Sequence, residues 1–176
     1  MSRTVNMAAP VVALVLLVLV AARPHGLAQG SENDPFNGSW RLSPEKSAAA
    51  WQSQPQPKRP VPEPQSVGVI TMTVTSGTVD YRVEHGQGTA PPKRATYTAA
   101  YNAATWQPVQ GAPDGAYAAV TLVKINDRQH SWVTRTRDGQ FAGVVLRKMA
   151  QDSRSFTSIG IGTDGYVRYV RVFEKQ

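Results

Sequence analysis

Two of the three histidines, His85 and His130, lie in stretches where polar and apolar residues alternate. Imidazole suits acid–base chemistry near neutral pH and the binding of transition metals. Each histidine falls on the apolar side of its stretch, so both could point into one interior and share a metal or a proton. No third ligand stands at a metal-binding spacing, and two histidines satisfied by neighbouring hydroxyls explain the pattern as well. We predict no metal, no cofactor and no enzymatic activity.

The other residues offer little catalytic chemistry. There is no cysteine, which excludes disulfides, thiolate metal sites and a cysteine nucleophile. No serine stands in a nucleophile elbow, and neither short glycine motif precedes a helical pattern that could hold a phosphate. The carboxylates either fall on the polar side of a strand or lie in turns: Asp80, Glu84, Asp114, Asp127, Asp138 and Asp164.

Aromatic residues supply the best candidate for a binding function. Tyr81, Tyr97, Tyr101 and Trp132 share the predicted interior with the two histidines. A small β-barrel either fills its interior with side chains or holds one small ligand. We therefore expect a small hydrophobic ligand at Tyr81, His85, Tyr97, Tyr101, His130 and Trp132. A filled core of the same residues remains an open alternative.

The N-terminus has the pattern of an export signal. Arg3 precedes an apolar run over 8–22, and Gly26-Leu27-Ala28 offers a cleavage site. The run is shorter than the ~20 residues that span a bilayer, although an uncleaved anchor is the alternative. We predict a signal peptide over 1–28, a single domain over 29–176, and a secreted or periplasmic protein.

The formal net charge is +7 and the pI is about 10.0. Loss of Arg3 and Arg23 with the leader would lower the net charge to about +5. The remaining basic residues are spread singly or in pairs, without a basic stripe carrying stacking aromatics. We expect no nucleic-acid partner, no membrane insertion after processing, and a monomer.

A period of two runs through most of the mature chain and predicts an all-β fold. Short turns join the strands, so they must pair antiparallel, because parallel crossovers need a dozen or more residues. Eight or nine such strands favour an up-and-down meander barrel. One helical stretch is predicted over 43–51, with Ser43 as N-cap and Pro44 at the first helical position. A Pro-rich connector follows over 55–64.

The charges on the strands distinguish a membrane-spanning barrel from a soluble one. The polar faces of the strands carry charges such as Arg82, Glu84 and Arg135. A charge on the lipid face costs about 2–4 kcal/mol at the middle of the bilayer. The pattern therefore favours a barrel with its charged face toward water.

The first predicted strand carries a motif that resembles a known family. Phe36, Gly38, Trp40 and Leu42, followed by Lys46 and Ser47, resemble the opening of the lipocalin-like domain of uncharacterised secreted bacterial proteins. The resemblance implies a calycin-type barrel in which Trp40 closes the base. It also implies that an arginine of the last strand packs across that tryptophan. This arginine could be Arg168 or Arg171, and parity favours Arg168, because it shares the predicted apolar face of Val170 and Val172.

A protein-interaction module, such as an inhibitor or an envelope assembly factor with a filled barrel, is the alternative function. Its surfaces would be the Pro-rich connector and the segment that carries Trp106. An exposed tryptophan in a loop can anchor a partner, and the same residue could instead fold over a barrel mouth as a lid. A histidine-dependent barrel enzyme is the third alternative.

Overall fold

A computed structural model describes residues 33–54, 67–86, 92–112 and 117–176 of the chain. The predicted signal peptide, 1–28, and the Pro-rich connector, 55–64, lie outside the described residues. Within the described ranges, no helix is long and apolar enough to cross a bilayer.

One helix and ten strands form the described fold. The helix α1 spans Pro44–Gln52, and Pro44 begins it after the extended residue Ser43. The strands are β1 Gly38–Ser43, β2 Val67–Thr75, β3 Thr78–His85, β4 Lys93–Ala100, β5 Gln107–Pro108, β6 Ala119–Asn126, β7 Gln129–Arg135, β8 Phe141–Met149, β9 Ser155–Ile161 and β10 Val167–Lys175.

The strands form one antiparallel sheet in the order β4-β3-β2-β1-β10-β9-β8-β7-β6-β5. Neighbouring strands in the sheet are also neighbours in sequence, except for β1 and β10, which are the first and last of the described strands. The outer edges approach each other through bridges between Thr96 and Gln110 and between Tyr101 and Leu122. The sheet is thus nearly closed on itself, which confirms the predicted all-β, up-and-down meander barrel.

Helix α1 packs on the outer face of β10. The Ser47 hydroxyl donates to the Ser43 carbonyl at 2.6 Å and accepts from the Val172 N–H at 2.9 Å. Val170 and Val172 are buried, yet they lie outside the main apolar cluster that fills the barrel. The apolar face predicted for the last strand is therefore its outer face.

One end of the barrel is closed by the first strand. Trp40 is fully buried, its indole N–H donates to the Phe36 carbonyl at 3.0 Å, and its ring meets Phe156 edge-on. The Lys175 Nζ lies 5.4 Å from the centroid of the Trp40 ring. Gly38 makes room for this lysine, because a Cβ there would lie 3.1 Å from the Lys175 Cε and its φ is +132°.

The expectation that Arg168 packs across Trp40 is wrong. Arg168 is the extra residue of an irregularity between Val167 and Tyr169, near the start of β10, whereas Trp40 pairs with Lys175 near its end. Its Nη2 instead donates to the Asp164 Oδ2 at 2.7 Å. The odd-numbered residues of β10 point into the barrel. The cation over Trp40 is therefore Lys175 and not Arg168.

Candidate functional site

A cavity of about 390 Å³ occupies the end of the barrel opposite Trp40. This end carries the β7–β8 and β9–β10 turns. The walls are mostly aliphatic and aromatic, and they include Ile70, Tyr81, Val83, Tyr117, Trp132, Val145, Ile161, Tyr169 and Phe173. A concave, largely apolar space with a few polar groups is the usual form of a small-molecule site.

Arg147 forms the most unusual part of the cavity lining. Its side chain is 2 % exposed, on the same face of β8 as Val145 and Met149. Its Nη1 contacts the Met72 Sδ at 3.8 Å, and its Nε has no hydrogen-bond partner among the described residues. No described carboxylate forms an ion pair with it.

Aromatic rings surround this guanidinium. Its central carbon lies 4.7 Å from the Tyr81 ring centroid and 4.9 Å from that of Trp132. Tyr97 stacks on Tyr81 with centroids 4.7 Å apart, and Tyr117 meets Trp132 edge-on at 5.2 Å. The Trp132 indole nitrogen has no described hydrogen-bond partner. The predicted residues Tyr81, Tyr97 and Trp132 therefore form one cluster, of which Tyr81 and Trp132 line the cavity.

His85 and Arg171 lie on the same cavity wall. Both ring nitrogens of His85 lack a described partner. Burial, reinforced by the charge of Arg171, lowers the pKa of His85 below its ordinary value, so the ring is neutral near pH 7. The Arg171 guanidinium lies 4.3 Å from the Tyr169 ring, which packs against Gly160.

Tyr101 and His130 lie near the closed end and not in the cavity. The Tyr101 hydroxyl and the His130 Nδ1 are 2.9 Å apart, and the Phe36 ring lies 4.2 Å from the imidazole. Burial, with the charges of Arg147 and Lys124, lowers the pKa of His130 well below its ordinary value. This part of the predicted site is filled core, so the expected ligand contacts at Tyr101 and His130 are absent from the cavity lining.

The two histidines do not meet. His85 pairs with Lys93 at the start of β4, whereas Tyr101, the partner of His130, follows the end of that strand. Eight extended residues span about 27 Å. Among the described residues, no group of three His, Cys, Asp or Glu side chains could hold a metal ion. A shared metal or an acid–base pair of these histidines is therefore ruled out by their separation.

Trp106, the expected anchor or lid, packs on the outside of the barrel. The Arg135 guanidinium carbon lies 3.9 Å from its ring centroid, and the tryptophan is half-buried. It does not line the cavity. Tyr117 is instead the aromatic residue that reaches the cavity from the segment before β6.

Arg147, Arg171, Tyr117 and Tyr169 are cavity residues that sequence reasoning missed. Arg147 had a usable signal, because it shares the parity of Val145 and Met149. The combined arrangement offers an apolar space, neutral polar groups and the buried guanidinium of Arg147. Comparisons with protein-family models, with curated proteins and with solved structures give no match for this chain.

Proposed function

We propose that this protein is an exported, non-enzymatic carrier or receptor that binds one small molecule with an apolar body inside the barrel. The observation that carries the proposal is the cavity of about 390 Å³ between Arg147 and the barrel end. Its volume is at the lower end of the range for small-molecule sites. A compact ligand could lie against Ile70, Val145 and Phe173 and remove apolar surface from water.

Buried polar atoms in the walls support the same proposal. The nitrogens of His85, the Nε of Arg147 and the indole nitrogen of Trp132 have no described hydrogen-bond partner. Leaving such an atom unsatisfied costs about 1–3 kcal/mol, so a folded protein rarely keeps several together. A ligand with one or two polar groups would satisfy some of them and would be oriented by them.

The proposal includes export, a monomeric state, no nucleic-acid partner and membership of the lipocalin-like family. The leader pattern over 1–28 supports export, and the Phe36-Gly38-Trp40 motif supports the family. The separation of His85 from His130 supports a binding role over histidine-dependent catalysis.

Thermal unfolding with a small panel of probes tests the binding proposal. The panel is naphthalene-2-carboxylate, decanoate, their carboxamides, and 1-decanol, and native mass spectrometry is run on the purified protein. A ligand at one hundred times its Kd stabilises the native state by about 2.7 kcal/mol, which raises Tm by several degrees. We expect at least one probe to do so with one-to-one stoichiometry.

A cavity-filling variant makes the test specific. Val145→Trp should abolish the shift, because Val145 lines the cavity. Val123→Trp is the matched control, since Val123 is 41 % exposed on the outer surface. No shift and no bound mass with any probe would contradict the proposal. An undiminished shift in folded Val145→Trp would place binding elsewhere and contradict it too.

A further inference from the structure

Arg147 is a buried cation without a described counter-ion. Removing an ion from water costs several kcal/mol in real proteins, and a guanidinium cannot lose its proton to avoid that cost. The Tyr81 and Trp132 rings offset part of it through cation–π contacts. The Met72 sulfur is only a weak acceptor. The fold thus keeps a positive charge in its core that its own described side chains do not neutralise.

The neighbouring tyrosines do not act as counter-ions. Burial raises the pKa values of Tyr81 and Tyr97, and the charge of Arg147 opposes that rise only in part. Both phenols therefore stay protonated at physiological pH. Their oxygens can accept hydrogen bonds from the guanidinium, but neutral phenols cannot balance its charge.

Two further arginines belong to the cavity lining. Arg171 and Arg168 also contribute to its lining, and no Asp or Glu does. Arg168 is paired with Asp164, with its side chain 41 % exposed. Arg147 is 2 % exposed, and in such a low-dielectric surrounding an anion beside it meets an attraction that water screens weakly.

We infer that the ligand of this cavity carries a carboxylate that pairs with Arg147, while its apolar body lies against the surrounding walls. The inference rests on the proposed small-molecule function and adds the chemical class of the ligand. A carboxylate matches the planar donor fork of a guanidinium, and Arg147 is one of the residues that line the cavity. The walls then contact a compact hydrocarbon or aromatic body.

Isothermal titration calorimetry with two matched pairs tests the inference. Naphthalene-2-carboxylate is compared with naphthalene-2-carboxamide, and decanoate with decanamide, so that only the charge of the head group changes. The wild-type protein should bind the carboxylate of at least one pair about 10- to 100-fold more tightly than its amide, as a charge-assisted hydrogen bond in a buried site implies.

Arg147→Met keeps an apolar side chain of similar length and removes the charge. It should abolish the preference and leave the affinity for the carboxamide within about threefold, whereas Arg147→Lys should retain part of the preference. Arg82→Met is the matched control. Arg82 is the residue after Tyr81 in β3, so it lies on the outer face of the barrel, where it pairs with Glu84. This variant should bind like the wild type.

The outcomes separate the two proposals. Equal binding of both members in each pair, or tighter binding of the amides, overturns the carboxylate inference and leaves small-molecule binding standing. An undiminished preference in Arg147→Met also overturns it. Binding of no probe overturns the proposed function and the inference together. If Arg147→Met does not fold, the wild-type preference alone decides.

Discussion

The guanidinium carbon of Arg147 lies 4.9 Å from the ring centroid of Trp132, in a barrel interior where no described carboxylate pairs with it. Arg147→Met should therefore leave the free energy of unfolding of the ligand-free protein unchanged or raise it by up to about 2 kcal/mol. The increase in the free energy of unfolding is limited because the variant also loses the cation–π contacts of Arg147. Urea unfolding measures the change, and a loss above about 2 kcal/mol would show that the charge stabilises the fold.

The closed end gives a second prediction. Trp40→Ala should lower the free energy of unfolding by about 3–5 kcal/mol, because Trp40 is fully buried against Phe156. Lys175→Met should cost under about 1 kcal/mol, since an exposed cation–π contact contributes little. Arg168→Met tests the expectation, drawn from the family resemblance, that Arg168 packs across Trp40. It should have a small effect, because Arg168 pairs with Asp164 instead. A loss for Arg168→Met as large as that for Trp40→Ala would contradict the structure.

The Ser47 hydroxyl joins α1 to β10, in addition to the ion pair between Lys46 and Glu174. Ser47→Ala would leave the Val172 N–H without its acceptor, so the free energy of unfolding should fall by about 1–2 kcal/mol. Hydrogen exchange at Val172 should accelerate. Ser53→Ala is the matched control, because the Ser53 hydroxyl bonds only within the exposed end of the helix. Equal losses in the two variants would contradict the docking role.

His130 makes stability depend on pH. Burial beside Arg147 and Lys124 holds the pKa of His130 below its unfolded value of about 6.5. Stability from the neutral ring is therefore full above that unfolded pKa and is lost as the pH falls toward the folded pKa, by at most about 1.4 kcal/mol per pH unit. His130→Asn keeps a polar atom near the Tyr101 hydroxyl and should flatten this slope between pH 7 and pH 5. Urea unfolding at several pH values measures the free energy of unfolding. An equal dependence on pH in the variant and the wild type would contradict the prediction.

The elements of the fold could be predicted from the sequence because the alternation is regular and the turns are short. All nine strands of six residues or more, and helix α1, follow from the period of two and from the Ser43-Pro44 start signal. The two-residue strand β5 follows from neither, since it has no period to detect. Its position is fixed by tertiary pairing with β6.

The site was only partly predictable, because parity gives the side of a strand and not the depth along the barrel. Tyr101 and Tyr81 share the interior, but the register places Tyr101 in filled core and Tyr81 at the cavity. On β8, Val144 and Leu146 make the other face apolar too, so the parity that Arg147 shares with Val145 and Met149 did not by itself show which face is interior. On β10, burial of Val170 and Val172 near α1 reversed the apparent interior face.

The most direct test of the account follows the Nε–H resonance of Arg147 by ¹H–¹⁵N NMR during titration with naphthalene-2-carboxylate and with decanoate. Arg147→Met identifies the resonance, and the Arg82 resonance is the internal control. We predict a saturable shift of the Arg147 signal with one-to-one stoichiometry for at least one carboxylate, and no shift with its carboxamide beyond a small packing effect. An unchanged Arg147 signal at saturating carboxylate would contradict the account.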